Sequence, residues 1–238
     1  YGYETILGIK IIFILTALLF FGFSVFTFFL IKRKSKTKIT CSHIKEASSR
    51  VLHTLKNIKK YKSVWLFLLA SFLYMDAANT AIIFLYLYAR DQIGLSLVQF
   101  LPLYAVMATA AGIGSLIFVK ITDKLGHKKT LIMVLIAWIA IVLMLYIKTN
   151  LTTFIIVGIL GGALLGAIWT VTRPLLVQLA PKHKIAELFG YQGLTEKFSG
   201  VIGPVLFGYI AVTFGFNQAL LVVIIFFLSG LFVLRMVK

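Results

Sequence analysis

Acidic side chains are scarce in this chain: seven Asp and Glu stand against 24 Lys and Arg in 238 residues. Cysteine is scarcer still, with Cys41 alone, so no intrachain disulfide can form. The four histidines, His43, His53, His127 and His183, have no Cys or carboxylate partners at metal-ligand spacing. No nucleophile elbow and no acid–base motif appears, and the glycine-rich stretches neither follow a strand nor lead to Lys-Ser/Thr as a phosphate loop requires. The expectation is a protein that is not an enzyme and holds no metal and no cofactor.

Charge is also missing over long distances. Gln92 to Val119, Thr130 to Ile147 and Phe198 to Leu234 contain no ionisable acid or base, 61% of the chain is hydrophobic, and 21 residues are Phe. That is more apolar surface than a water-facing globule can bury, so the lipid bilayer is the solvent. A helix crosses the hydrocarbon core with about 20 residues. Seven segments meet that length, near 11–31, 64–89, 98–119, 130–147, 152–172, 188–212 and 218–236. The last two come from one uncharged run too long for a single crossing, which must turn near Thr213 to Asn217. Nothing alternates as a β-barrel strand does. The fold class is therefore all-α, a polytopic transmembrane helix bundle of about seven spans.

The cations set the expected orientation. The stretches 32–62, 120–129 and 173–187 and the C-terminal end hold 20 of them, while the opposite side has only Lys10, Arg90 and Lys148. The positive-inside rule places the rich side in the cytoplasm, with the N-terminus of the chain outside and its C-terminus inside, most naturally in the cell membrane. A net charge of +17 carried by membrane-flanking loops has this topological cause, and no nucleic-acid partner is expected. The chain opens without Met or a signal peptide and with an odd number of spans, which reads as a piece of a longer protein missing its N-terminal half. Within 32–62, Ile44, Ala47, Val51, Leu55 and Ile58 recur at helical spacing. This is either an amphipathic helix on the inner leaflet, with Lys45, Arg50, Lys56, Lys59 and Lys60 at anionic headgroups, or a plain basic linker.

Polar groups inside the spans carry the functional signal. Asp76 is the only charge between Ser63 and Ala89, with Asn79 and Thr80 one turn later on the same face. A charge at that depth costs about 3 kcal/mol unless it pairs or faces water. It is either a proton- or substrate-binding carboxylate lining a cavity or an interhelical hydrogen-bond anchor. Glu196 and Lys197 fall inside the sixth span and, being adjacent, point about 100° apart, so they should have separate partners. Lys197 either meets Asp76 across the bundle or, like Glu196, reaches back to the interface. Arg173 either binds an anionic substrate group or belongs to the cytoplasmic cations. Ala108-x-x-x-Gly112, Ala110-x-x-x-Gly114 and Gly162-x-x-x-Gly166 should let helices approach closely. Gly203-Pro204 should kink the sixth helix, because Pro lacks the backbone donor.

Between the third and fourth spans lies Asp123-Lys124-Leu125-Gly126-His127-Lys128-Lys129, a charged hinge too short for a folded loop. It resembles the loop signature of the major facilitator superfamily, where Asp, a basic residue, Gly and further cations join helices two and three and again eight and nine. Phe72 to Asp76, Arg173, Pro181-Lys182, Glu187 to Gly190, Glu196 to Ser199 and Gly203 to Gly208 are similar to the vacuole-effluxer-like branch of that superfamily, which includes fungal vacuolar amino-acid effluxers. Two positions depart from the pattern: Val119 stands where Gly is usual, and Trp169 where Gln is frequent ahead of Arg173.

The resemblance implies the C-terminal half of a twelve-helix transporter. Residues 1–31 would be the last helix of the N-terminal half, 32–62 the basic cytoplasmic linker, and 63–238 the C-terminal six-helix domain. It implies alternating access for small solutes such as amino acids, with the missing half and the bilayer as partners and a proton or another ion as coupling species. Asp76, Asn79, Thr80, Arg173, Glu196, Lys197 and Trp169 would lie on the substrate or proton pathway. Asp123, Lys124, Gly126, Lys128 and Lys129 would form the conformational hinge. A seven-helix receptor, or a membrane scaffold that transports nothing, is the rival. Against the receptor stand a large cytoplasmic loop after the first helix and a last span with no interior Lys.

Overall fold

The computed structural model describes residues 6–30 and 61–237, and these contain helices and no strand. Helix α1, Ile6–Leu30, belongs to one unit and is uncharged apart from Lys10. The second unit holds α2 (Lys62–Tyr88, continued by a π turn Ala89–Ile93), α3 (Leu97–Leu125), α4 (His127–Ile147) and α5 (Leu151–Leu179). It is completed by α6 (Ile185–Phe198, entered through a 3₁₀ turn Lys182–Lys184), α7 (Ile202–Phe214) and α8 (Phe216–Met236). Seven stretches are long and apolar enough to cross a membrane, with α6 and α7 together making the sixth. The amphipathic pattern at 44–58, with most of the basic linker, lies outside the described residues.

Two spans extend beyond their apolar cores. Helix α3 runs through Lys120, Asp123 and Lys124, so the expected loop 120–129 shrinks to the single residue Gly126 between α3 and α4. Gly126 has φ +81°, a conformation that costs any L side chain strain. Its carbonyl accepts the N–H of Thr130 at 3.1 Å and the Thr130 hydroxyl at 2.9 Å, which starts α4 without a capping side chain. Likewise α5 continues past Arg173 and Pro174 to Leu179, so Arg173 belongs to a helix rather than a loop. The opposite ends are capped by side chains. Ser96 and Gln99 form a reciprocal capping box at α3, and Asn150 Oδ1 accepts from the Thr153 N–H at α5.

Small residues decide which helices touch. A Cβ on Gly162 or Gly166 would run into the backbone of Met107 or Ala111, and one on Gly114 into the backbone of Ala163, so α3 and α5 lie backbone to backbone. Gly112, expected to share this role, has open space beside it. Helix α2 packs on α8, where Gly230 lies against Tyr74, and α4 lies against both α5 and α8. Trp138 of α4 stacks on Phe227 of α8 with ring centroids 5.1 Å apart. At one end of the unit the Tyr88 hydroxyl and the Asn217 side chain meet Thr149 at 3.2 and 3.3 Å. At the other, Lys128 donates to the carbonyls of Arg235 and Val237, neutralising free acceptors at the C-terminus of α8.

Candidate functional site

The sixth span is not the continuous helix that its apolar run predicts. It breaks at Ser199–Val201, where Gly200 takes φ +104° and α6 gives way to α7. The kink expected at Gly203-Pro204 therefore falls a few residues earlier. Pro204 sits in the first turn of α7, where a missing N–H leaves no bond unmade. A break inside a membrane span frees backbone donors that lipid cannot satisfy, so the fold must supply acceptors.

Asp76 supplies them. Its side chain is fully buried, and its two oxygens divide the work: Oδ1 accepts the Gly200 N–H at 2.5 Å and Oδ2 the Gly203 N–H at 2.8 Å. The carboxylate thus caps the N-terminus of α7, where the partial positive charge of the helix end matches it. Asn79, one turn along α2, donates its Nδ2 to the Ser199 carbonyl at 3.0 Å and approaches the Ser199 hydroxyl at 3.3 Å. Thr80 donates its hydroxyl back to the Asp76 carbonyl at 2.6 Å. A Cβ on Gly203 would collide with Thr80 and press on the carboxylate, so glycine permits the close approach. Asp76, Asn79 and Thr80 therefore act together on one break. In this arrangement the Asp76 carboxylate holds α2 to the start of α7.

The remaining predicted residues separate from that cluster. Lys197 is exposed and makes no ion pair with Asp76; the ion pairs among the described residues are Arg90–Asp91 and Lys184–Glu187. Glu196 is half-buried and accepts the Gln192 Nε2 at 3.1 Å, one turn earlier on its own helix, so the adjacent pair does diverge. Trp169 and Arg173 are both exposed, one turn apart on the same face of α5. Asp123 is exposed at the end of α3 without a hydrogen bond among the described residues, whereas Lys128 is engaged with α8.

Sequence reasoning passed over Gln192, Tyr74 and Thr172. Gln192 is 1% exposed, and its Oε1 has no partner; the Tyr74 hydroxyl lies 3.1 Å from the Thr172 hydroxyl, both buried. Gln192 was the one with a usable signal, as an amide one turn before Glu196 inside an expected span. Among the described residues no group of His, Cys, Asp or Glu is arranged to hold a metal ion.

Residues 3–238 match the family described as vacuole effluxer Atg22 like, and the chain belongs to that family within the major facilitator superfamily. It is 28% identical over 189 residues to the uncharacterized MFS-type transporter YxiO of Bacillus subtilis, covering 79% of this chain and 44% of that protein. It is 28% identical over 221 residues to multidrug resistance protein MdtG of Klebsiella pneumoniae, covering 90% and 52%. It is also 23% identical over 185 residues to autophagy-related protein 22 of Candida glabrata, covering 72% and 34%. The chain spans about half the length, or less, of these relatives.

Proposed function

We propose that this chain is the C-terminal part of a secondary active transporter that moves small solutes by alternating access. The observation that carries the reading is the broken sixth span. Discontinuous helices are a recurrent device at transporter sites, since they place free backbone groups at mid-membrane depth and let a helix bend there. Here the two segments are joined through three residues and held to α2 by Asp76 and Asn79. Family membership supports transport over the seven-helix receptor. In this reading the exposed Trp169–Arg173 face of α5 and the exposed Lys197 would meet solute or an N-terminal half of the same protein. The cation bias supports a cytoplasmic location for the end bearing Gly126 and the C-terminus, in the cell membrane. Amino acids are the substrate class implied by resemblance, with a proton or another ion as the driving species.

The test uses the full-length protein in proteoliposomes, with a panel of radiolabelled amino acids and imposed proton or sodium gradients. Saturable, gradient-dependent flux is expected, and it should fall in Gly200→Pro, which loses the N–H that Asp76 accepts and cannot take the φ of +104° on which the break depends. Absence of flux for every solute under every gradient, from protein shown to be folded, overturns the reading.

A further inference from the structure

Within the six-helix unit lies a cavity of about 290 Å³ whose wall is almost wholly apolar. Ala81 and Phe84 of α2, Met107 of α3, Trp138 of α4, Gly158 of α5 and Phe207 of α7 contribute to it. No Asp, Glu, Lys, Arg or His reaches the lining. The lining residues with polar side-chain atoms are Tyr88, Tyr104 and Trp138. The Tyr88 hydroxyl is already spent on Thr149, and the Trp138 indole N–H is buried without a partner. A wall with so few polar atoms selects a guest that is mostly hydrocarbon. A charged group entering there would give up its water and gain no counter-ion, which excludes it.

The position of the cavity matters as much as its chemistry. Phe84 lies two turns beyond Asp76 on α2, and Phe207 one turn beyond Gly203 on α7; their rings stack with centroids 4.4 Å apart. This pair forms the wall on the side of the helix break. A guest that presses on Phe207 therefore leans on α7 just past the point where the span is free to bend.

We propose that the cavity is a subsite for an uncharged apolar group of up to about three aromatic rings, and that its occupancy is felt at the Asp76-held break through the Phe84–Phe207 pair. The mechanical part rests on the transport reading, whereas binding does not. The full-length protein in lipid nanodiscs is titrated with N-phenyl-1-naphthylamine, an uncharged probe that brightens in apolar surroundings. One saturable site per chain is expected above the linear lipid background. Filling the cavity by Ala81→Phe or by Ala108→Phe should weaken that site at least tenfold, with folding of each variant checked by its melting transition. The anionic analogue 1-anilinonaphthalene-8-sulfonate should compete at least tenfold less well.

The subsite is overturned by purely linear partitioning, by unchanged binding in both folded variants, or by equal competition from the anion. It is also overturned if native mass spectrometry finds a stoichiometric lipid in the cavity that the probe does not displace. A saturable site in a protein that shows no flux would support the subsite while refuting the transport reading. Flux without a saturable site would refute the subsite alone.

Discussion

Removing the Asp76 carboxylate should destabilise the six-helix unit and loosen the sixth span at the same time. In Asp76→Ala the Gly200 and Gly203 N–H groups lose their acceptors, Gly203 in a buried site and Gly200 in a partly buried one. Each buried donor left unpaired costs about 1–3 kcal/mol, so the pair amounts to roughly 2–6 kcal/mol. In Asp76→Asn one oxygen still accepts, but the new amide points a donor at a donor, and about half of that loss is expected. For a unit of this size each kcal/mol moves the melting midpoint by about 2–4 °C, so Asp76→Ala should melt on the order of 10 °C lower. Asn79→Ala, which removes only a neutral bond to Ser199, should cost about 1 kcal/mol. The assay is thermal unfolding of the full-length protein in detergent, followed by flux measured in proteoliposomes with the same variants. An Asp76→Ala midpoint within 2 °C of the wild type refutes the anchor reasoning. If Asp76→Asn keeps its midpoint yet abolishes gradient-driven uptake, the carboxylate serves proton or substrate instead.

The helix contacts and the charged turn give two further expectations. Gly166→Leu forces side-chain atoms into the backbone of Ala111 and should destabilise the α3–α5 pair by at least about 2 kcal/mol, whereas Gly112→Ala, with open space beside it, should be neutral or gain up to about 1 kcal/mol in the same unfolding measurement. On the transport reading, Asp123→Asn in the full-length protein should shift the balance of inward- and outward-facing forms, since a carboxylate at a facing helix N-terminus is worth about 0.3–1 kcal/mol. Labelling of cavity cysteines from both membrane faces reads that shift; an unchanged pattern with a lower melting midpoint would make Asp123 a local cap.

The bilayer, the number of spans and the tight turn at Gly126 were all legible in the sequence, because each follows from composition and local conformation. Long uncharged runs can be satisfied only by lipid and intrahelical hydrogen bonds. A lone Asp76 in such a run was marked as significant for the same reason, and Asn79 and Thr80 fell on its face by helical period. The tertiary structure decided what that face meets. Hydropathy sums over side chains and does not register the backbone donors that a break exposes, so the sixth span read as one kinked helix, and Lys197 as either a partner for Asp76 or an interfacial cation. In the fold the carboxylate meets two backbone amides across more than a hundred residues of chain, while Lys197 stays exposed. The same holds for the glycines: Gly112 and Gly114 carry equal motifs, and only the crossing of α3 and α5 made one a contact and left the other free. The apolar cavity is likewise invisible in any one segment, since six helices contribute to it, α7 with Phe207 alone, and its volume is the space their packing leaves.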